Sequence, residues 1–110
     1  MTDKKTRESQ LLELIQDAVN LATVHAKEYG ETFNSMHEAW AVMKEEVEEV
    51  QEKTEWVVHN VECSWNGVTS DNKELFFPLV KYVKRYSLAA ITELLQVVAV
   101  CNKIEGMRED

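Results

Sequence analysis

Carboxylates dominate the residues of this chain that could carry chemistry. Four glutamates crowd into one short segment, at Glu45, Glu46, Glu48 and Glu49. A fifth, Glu93, interrupts the stretch 88–101, which is otherwise almost wholly apolar. An ionised carboxylate in apolar surroundings costs free energy unless something neutralises it. A divalent cation shared by Glu93 and the first group would do so, and it would make the chain a metal-dependent enzyme.

A helical wheel separates the four clustered acids into two pairs. At about 100° per residue, Glu45 and Glu48 face solvent, whereas Glu46 and Glu49 share one flank of an apolar stripe. The second pair is spaced i and i+3, so its carboxylates are neighbours that repel each other unless a cation lies between them. Mg²⁺ prefers oxygen ligands of this kind, completed by waters and phosphates.

The helix that carries Glu93 adds further candidates. Gln96 follows Glu93 by one turn, and Tyr86 lies on the same side as Glu93. Arg85 and Lys103 flank Gln96, and Lys103 is roughly 10 Å along the helix axis from it. A basic group at that distance could meet the far phosphates of a metal-bound nucleotide.

Simpler explanations stay open for these acids. Glutamate runs on helices are commonly solvated faces, which is the preferred interpretation of Glu45 and Glu48 and an open one for Glu46 and Glu49. Glu93 could instead pair with Lys or Arg from another helix. Glu38 fits a capping role better than a ligand role, because Ser35-Met-His-Glu38 has the form of a capping box.

The elements that must position these residues are predicted to be helices, because glycine and proline are scarce. Apolar periodicity predicts helices over residues 8–29, from 35 to 58 or 61, and from 71–74 (or a restart at Pro78) to 104. Residues 63–72 hold most of the turn-forming residues and are predicted to form a loop. The fold class is therefore all-α, a bundle of three main helices with room for a fourth short one.

The third helix bears on assembly. Residues 88–101 are apolar on all sides, and such a helix is expected to be buried on all sides. Three helices from one short chain hardly cover it, so we expect the core to be completed by a homo-oligomer, a dimer or a tetramer. Trp40 lies on the apolar stripe of the second helix and is expected in the core.

Composition limits the classes of function. The chain has 110 residues and a formal net charge of −8, so we expect one domain, with residues 1–8 flexible, and no role in coating nucleic acid. Two cysteines give no disulfide framework, and no uncharged apolar run reaches the ~18 residues of a membrane span. We expect a reduced, cytoplasmic protein that does not use a membrane.

The two acidic segments resemble one known family. The segment His37-Glu-Ala-Trp-Ala-Val-Met-Lys-Glu-Glu-Val-Glu-Glu49 is similar to the E-E-x-x-E motif of the MazG-like, all-α nucleoside triphosphate pyrophosphohydrolases. Ala90-Ile-Thr-Glu-Leu-Leu-Gln96 falls where that family carries E-x-x-D. The resemblance covers about residues 10–104 and is strongest to the small phage and prophage members.

The resemblance implies a function and roles for the acids. The chain would be a Mg²⁺-dependent hydrolase, with Mn²⁺ as a substitute, that releases pyrophosphate and a nucleoside monophosphate in house-cleaning or phage nucleotide metabolism. Glu46, Glu49, Glu93 and Gln96 would hold the metal, and Glu45 would orient water or a ligand. Arg85, Lys103 and Tyr86 are the candidates for binding the nucleoside triphosphate.

One position departs from the family pattern and leaves an alternative open. Gln96 stands where the family has Asp, which removes one negative charge from the site and questions the activity more than the fold. The alternative is a non-catalytic helical oligomer of the same fold that binds nucleotides or proteins. A di-metal redox bundle is a weaker third idea, because the Glu-x-x-His pairs of such sites are missing.

Overall fold

The computed structural model describes residues 3–28 and 30–109, and within them the structure is helical with no strand. The main helices are α1 (Asp3–Lys27), α2 (Met36–Thr69) and α3 (Lys73–Glu105), followed by a single 3-10 turn, Gly106–Glu109. The all-α class and the three main helices are therefore confirmed. Helix α1 begins five residues before the predicted start at Glu8, and its predicted end, Tyr29, lies outside the described residues.

Contacts divide the chain into two units. Unit 2 comprises residues 44–94, and unit 1 comprises residues 1–43 together with residues 95–110. Unit 2 contains most of α2 and of α3, whereas unit 1 contains α1, the start of α2 and the end of α3. We describe each unit by itself.

Unit 2 is a hairpin of two antiparallel helices. Near its tip a Cβ on Gly67 would lie 2.9 Å from the Cβ of Phe76, so glycine permits the close approach of the two backbones. Further along, the rings of Trp56 and Tyr86 stack with centroids 5.9 Å apart. These two pairs fix the register in which α2 and α3 face each other.

The predicted loop over residues 63–72 is wrong, because α2 continues to Thr69 and only residues 70–72 separate it from α3. Serine and threonine hydroxyls in this segment donate to helix carbonyls one turn earlier, for example Ser64 to Val61 (2.6 Å), so they do not compete with the helix. The turn closes through Asp71, at φ 51°, and Asn72, whose side-chain oxygen accepts a hydrogen bond from the Leu75 N–H (3.2 Å).

Unit 1 joins the two ends of the chain. The Asn102 amide donates to the hydroxyl of Thr23 (3.2 Å), which itself donates to the carbonyl of Val19 (2.8 Å). The buried apolar residues of this unit are small ones, namely Val19, Ala22, Ala39, Ala99 and Val100.

The predicted cap of α2 is present with one change of partner. The Glu38 N–H donates to Ser35 Oγ (3.1 Å). The Glu38 carboxylate accepts bonds from both the backbone N–H and the side-chain amide of Asn34 (3.2 Å each), one residue before the expected partner. Glu38 is thus a capping residue, as its sequence context predicts.

The single chain leaves residues 88–101 partly uncovered, as expected for three helices, whereas the prediction that Trp40 lies in the core is wrong for the single chain. Leu88 and Ile91 are 56% and 55% exposed, and Trp40, predicted to be core, is 59% exposed. The reason is that the other helices of one chain cover only part of these surfaces. Among the described residues no large side chain is fully buried.

Helix α3 and the turn after it also meet a membrane criterion. Residues Lys73–Arg108 contain an 18-residue window of mean hydropathy 1.4 with at most two charged residues, 22% of which is buried. By length and composition this helix could cross a bilayer. Core helices of soluble proteins meet the same criterion. It admits up to two charged residues in the window, whereas the criterion applied to the sequence required an uncharged run.

Candidate metal centre

Three glutamates meet on the facing surfaces of the hairpin. Glu46, Glu49 and Glu93 each offer one carboxylate oxygen, and the three oxygens lie within 4.8 Å of one another. The helical register explains the meeting, because Glu49 and Glu93 each lie seven residues from the stacked pair Trp56 and Tyr86. Glu46 and Glu93 are half-buried, and Glu49 lies at the boundary between half-buried and exposed.

The cluster holds negative charge at an energetic cost. Burial raises the pKa of Glu93 above its ordinary value, and a hydrogen bond with Glu49 and the charges of Glu49 and Glu46 raise it further. Burial also raises the pKa of Glu46, with the charges of Glu49 and Glu45 adding to the effect. A hydrogen bond between two carboxyl groups requires a proton on one of them, so a proton can occupy the place that a cation would take.

Lys53 is the basic residue whose charge acts on Glu93 in this cluster. Its charge opposes the rise in the pKa of Glu93, but it is the weakest of the five influences on that carboxyl. The ammonium also lies 3.9 Å from a carboxylate oxygen of Glu52, so its charge is shared. Lys53 therefore neutralises the Glu93 carboxylate only in small part, which leaves little of the alternative in which a basic residue pairs with Glu93.

The donor set suits a hard cation. All three ligands are carboxylate oxygens, which Mg²⁺, Ca²⁺ and Mn²⁺ prefer, and the cluster contains no sulfur or imidazole. A Mg²⁺ ion with ligands at about 2.1 Å needs neighbouring oxygens about 3 Å apart, so small side-chain rotations would draw the oxygens together. The three glutamates could hold one metal ion.

The remaining predicted acids lie outside the trio. Glu45 and Glu48 are exposed, as the helical wheel predicts. The Lys44 ammonium lies 4.0 Å from Glu48, while Glu45 acts on Glu46 through its charge alone. Gln96 is half-buried and belongs to unit 1, so its role as a ligand stays a prediction.

The predicted substrate-binding residues have three different settings. Arg85 is exposed, and Tyr86 is half-buried against Trp56 with an interplanar angle of 21°. Lys103 is only 5% exposed: its ammonium donates to the Ala26 carbonyl (3.3 Å) and lies 4.3 Å from the centre of the Phe33 ring. The Lys103 charge is already satisfied within unit 1, and phosphate binding by these residues stays a prediction.

Sequence reasoning missed two features of this hairpin. Lys53 follows Glu49 by four residues, a spacing that could have signalled its influence on the cluster. His59 and Cys63 share the same i, i+4 spacing, and their Nε2 and Sγ atoms lie 3.6 Å apart.

No protein-family model, curated protein or solved structure matches this chain. The family resemblance therefore remains an interpretation of the two acidic segments. The geometry of the three glutamates stands independently of it.

Proposed function

We propose that this chain is a Mg²⁺-dependent nucleoside triphosphate pyrophosphohydrolase, with Mn²⁺ as a substitute, that acts in the cytoplasm on surplus or non-standard nucleotides. The observation that carries the proposal is the convergence of Glu46, Glu49 and Glu93 from two helices within 4.8 Å. The resemblance of these two segments to the MazG-like family supports the choice of reaction.

In this proposal the three carboxylates bind the metal ion. The metal would polarise the phosphate oxygens and lower the pKa of an attacking water. Glu45, exposed beside Glu46, would orient that water. Arg85 would contribute positive charge to the phosphates, and Tyr86 would offer a ring surface to the base.

Gln96 reduces the charge available to the metal. An amide oxygen can coordinate Mg²⁺ but brings no negative charge, so we expect one metal ion where the family pattern has two. A single ion still supplies charge neutralisation at the triphosphate. A Gln96→Asp variant is expected to raise metal affinity and pyrophosphate release together.

The test is a pyrophosphate-release screen of the full chain over natural and modified nucleoside triphosphates, with Mg²⁺ or Mn²⁺. Glu49→Gln and Glu93→Gln are each expected to reduce release by about 100-fold or more. Glu48→Gln is the matched control, because it removes an exposed carboxylate one residue from Glu49, and it should retain full activity. Bound metal without release from any substrate would refute the enzymatic proposal.

A non-catalytic helical oligomer is the second candidate, and exposed apolar area favours it. The exposed large apolar side chains of the unit 2 part of α3 are Leu75, Phe77, Val80, Tyr82, Leu88, Ile91 and Leu94.

Assembly is tested separately from activity. We expect light scattering after size exclusion to give a dimer or a tetramer, since a second copy is the simplest cover for these faces. Leu88→Glu with Ile91→Glu should shift the species toward monomer, while Lys84→Glu on the same helix should not. A wild-type monomer at micromolar concentration would remove the oligomer from both candidate functions.

A further inference from the structure

The C-terminal third of helix α2 carries a second set of ligand atoms that differ chemically from the glutamates. His59 and Cys63 are one turn apart on α2, and the distance from Cys63 Sγ to His59 Nε2 is 3.6 Å. A thiolate and an imidazole are the preferred protein ligands of Zn²⁺ and of ions similar to it.

The distance between the two atoms matches the requirement of one shared ion. With a zinc–sulfur bond of about 2.3 Å, a zinc–nitrogen bond of about 2.05 Å and a tetrahedral angle, the sulfur and nitrogen stand about 3.6 Å apart. In the metal-free chain this contact is a hydrogen bond between the thiol and the imidazole, so an ion would replace the shared proton at nearly the same sulfur–nitrogen separation. This differs from the carboxylate cluster, where the oxygens must first move together.

The surroundings allow an ion to enter and keep the imidazole in place. His59 is exposed and Cys63 is half-buried. The Trp56 ring meets the imidazole edge to face, with centroids 5.6 Å apart and planes at 85°. A surface groove beside His59 is lined by Glu55 and Glu62, among others, and their negative charge would attract cations.

We propose that His59 and Cys63 form a chelating site for a borderline or soft divalent ion of the Zn²⁺ class, distinct from the Mg²⁺-type carboxylate cluster. As the metal–sulfur bond forms, the thiol S–H bond breaks and its proton passes to solvent, while the neutral imidazole binds through Nε2. Two coordination positions remain for water or another exchangeable ligand. The proposal does not rest on the pyrophosphohydrolase activity.

The test is a Co²⁺ titration of the full, reduced chain, followed by the near-ultraviolet charge-transfer absorption that a cobalt–thiolate bond produces. We expect a saturable band at one ion per chain, which Zn²⁺ abolishes by displacement. Excess Mg²⁺ should leave the band unchanged, because Mg²⁺ does not compete for sulfur.

Variants assign the band to its ligands. Cys63→Ser should abolish the band and His59→Gln should weaken or abolish it, whereas Cys101→Ser, the matched control at the other cysteine, should retain it. Glu93→Gln should also retain it, which separates this site from the carboxylate cluster. Metal-free circular dichroism verifies that each variant is folded.

Three results would overturn the proposal. They are a band that survives Cys63→Ser, a band lost with Cys101→Ser in a folded chain, and the absence of any band at millimolar Co²⁺. Proton release gives an independent check, since unbuffered titration should liberate one proton per Co²⁺ bound in the wild type and none in folded Cys63→Ser.

Discussion

Helix α3 carries two charges in apolar surroundings, and the chain treats them in opposite ways. In unit 1 the Lys103 ammonium is buried but satisfied, by the Ala26 carbonyl at 3.3 Å and the face of the Phe33 ring. In unit 2 the Glu93 carboxylate faces two more carboxylates, Glu46 and Glu49. Lys103 thus has complementary partners already, whereas Glu93 has like charges beside it, which a proton or a metal ion would neutralise.

The comparison teaches how to separate a structural charge from a functional one. A buried charge held by fixed dipoles contributes to a single folded state, and its removal leaves those dipoles unpaired. A charge placed among like charges weakens the fold in the absence of a ligand, and such strain is typical of binding sites. The four predictions below test this contrast, from the largest effect to the smallest.

The largest effect is expected from reversing the satisfied charge. Lys103→Glu would place a carboxylate beside a carbonyl oxygen and the negative face of Phe33, and we expect the free energy of unfolding to fall by about 3–5 kcal/mol. Urea denaturation at pH 7 measures it. Lys84→Glu, at an exposed position of the same helix, should change it by less than about 0.5 kcal/mol. Equal losses in the two variants would contradict the contrast.

A smaller effect is expected from the contact that sets the hairpin register. In Gly67→Ala the new Cβ would lie 2.9 Å from atoms of Phe76, and we expect a loss of about 1–3 kcal/mol from the crowding. Thermal unfolding with and without Mn²⁺ should also show a reduced metal-induced shift in Tm. Gly106→Ala is the control, because nothing lies within 4 Å of its added Cβ.

Removal of the unsatisfied charge should act in the opposite direction to Lys103→Glu. In Glu93→Gln we expect a gain of about 0.5 kcal/mol at pH 7 without metal, since one like-charge repulsion is removed. The size of this gain depends on pH. A folded pKa raised above its ordinary value near 4.5 means that stability is full below that value and is lost as the pH rises through the folded pKa.

The advantage of Glu93→Gln over the wild type should therefore be absent near pH 4 and grow toward pH 7. Denaturation series at several pH values measure it, and Glu48→Gln, at an exposed acid of the same hairpin, should show no such growth. Saturating Mn²⁺ should reverse the order of the two proteins, because only the wild type binds it strongly. A pH-independent difference would show that Glu93 is not among like charges.

The smallest effects concern the order of influences on Glu93. The variants below leave the burial of Glu93 unchanged. Each substitution should therefore change the pKa of Glu93 by an amount that follows the strength of the replaced residue's interaction with it. Glu49→Gln should lower that pKa most, Glu46→Gln should lower it less, and Lys53→Gln should raise it. Carbon-13 NMR titration of the glutamate side chains measures each value. A rise on Glu49→Gln would refute the assigned hydrogen bond.

Periodicity predicted the parts of the structure that depend on local spacing. The flank shared by Glu46 and Glu49, the capping role of Glu38 and the number of helices follow from residues three or four apart on one helix. The place of Glu93 beside them could be proposed because a lone charge in an apolar helix needs a partner.

Features that depend on contacts between residues far apart in the sequence could not be predicted from periodicity. The close approach of Gly67 in α2 to Phe76 joins residues of two helices, and no spacing within one helix indicates it. Burial of Lys103 depends on Phe33 and Ala26, about seventy residues earlier in the sequence.

The division into units has a consequence for the order of folding. Unit 2 is one uninterrupted segment, residues 44–94, whereas unit 1 joins the first 43 residues to the last 16. Contacts between nearby residues form faster than those that close a long loop. We expect the hairpin to form, with its three glutamates together, before Lys103 reaches the Ala26 carbonyl.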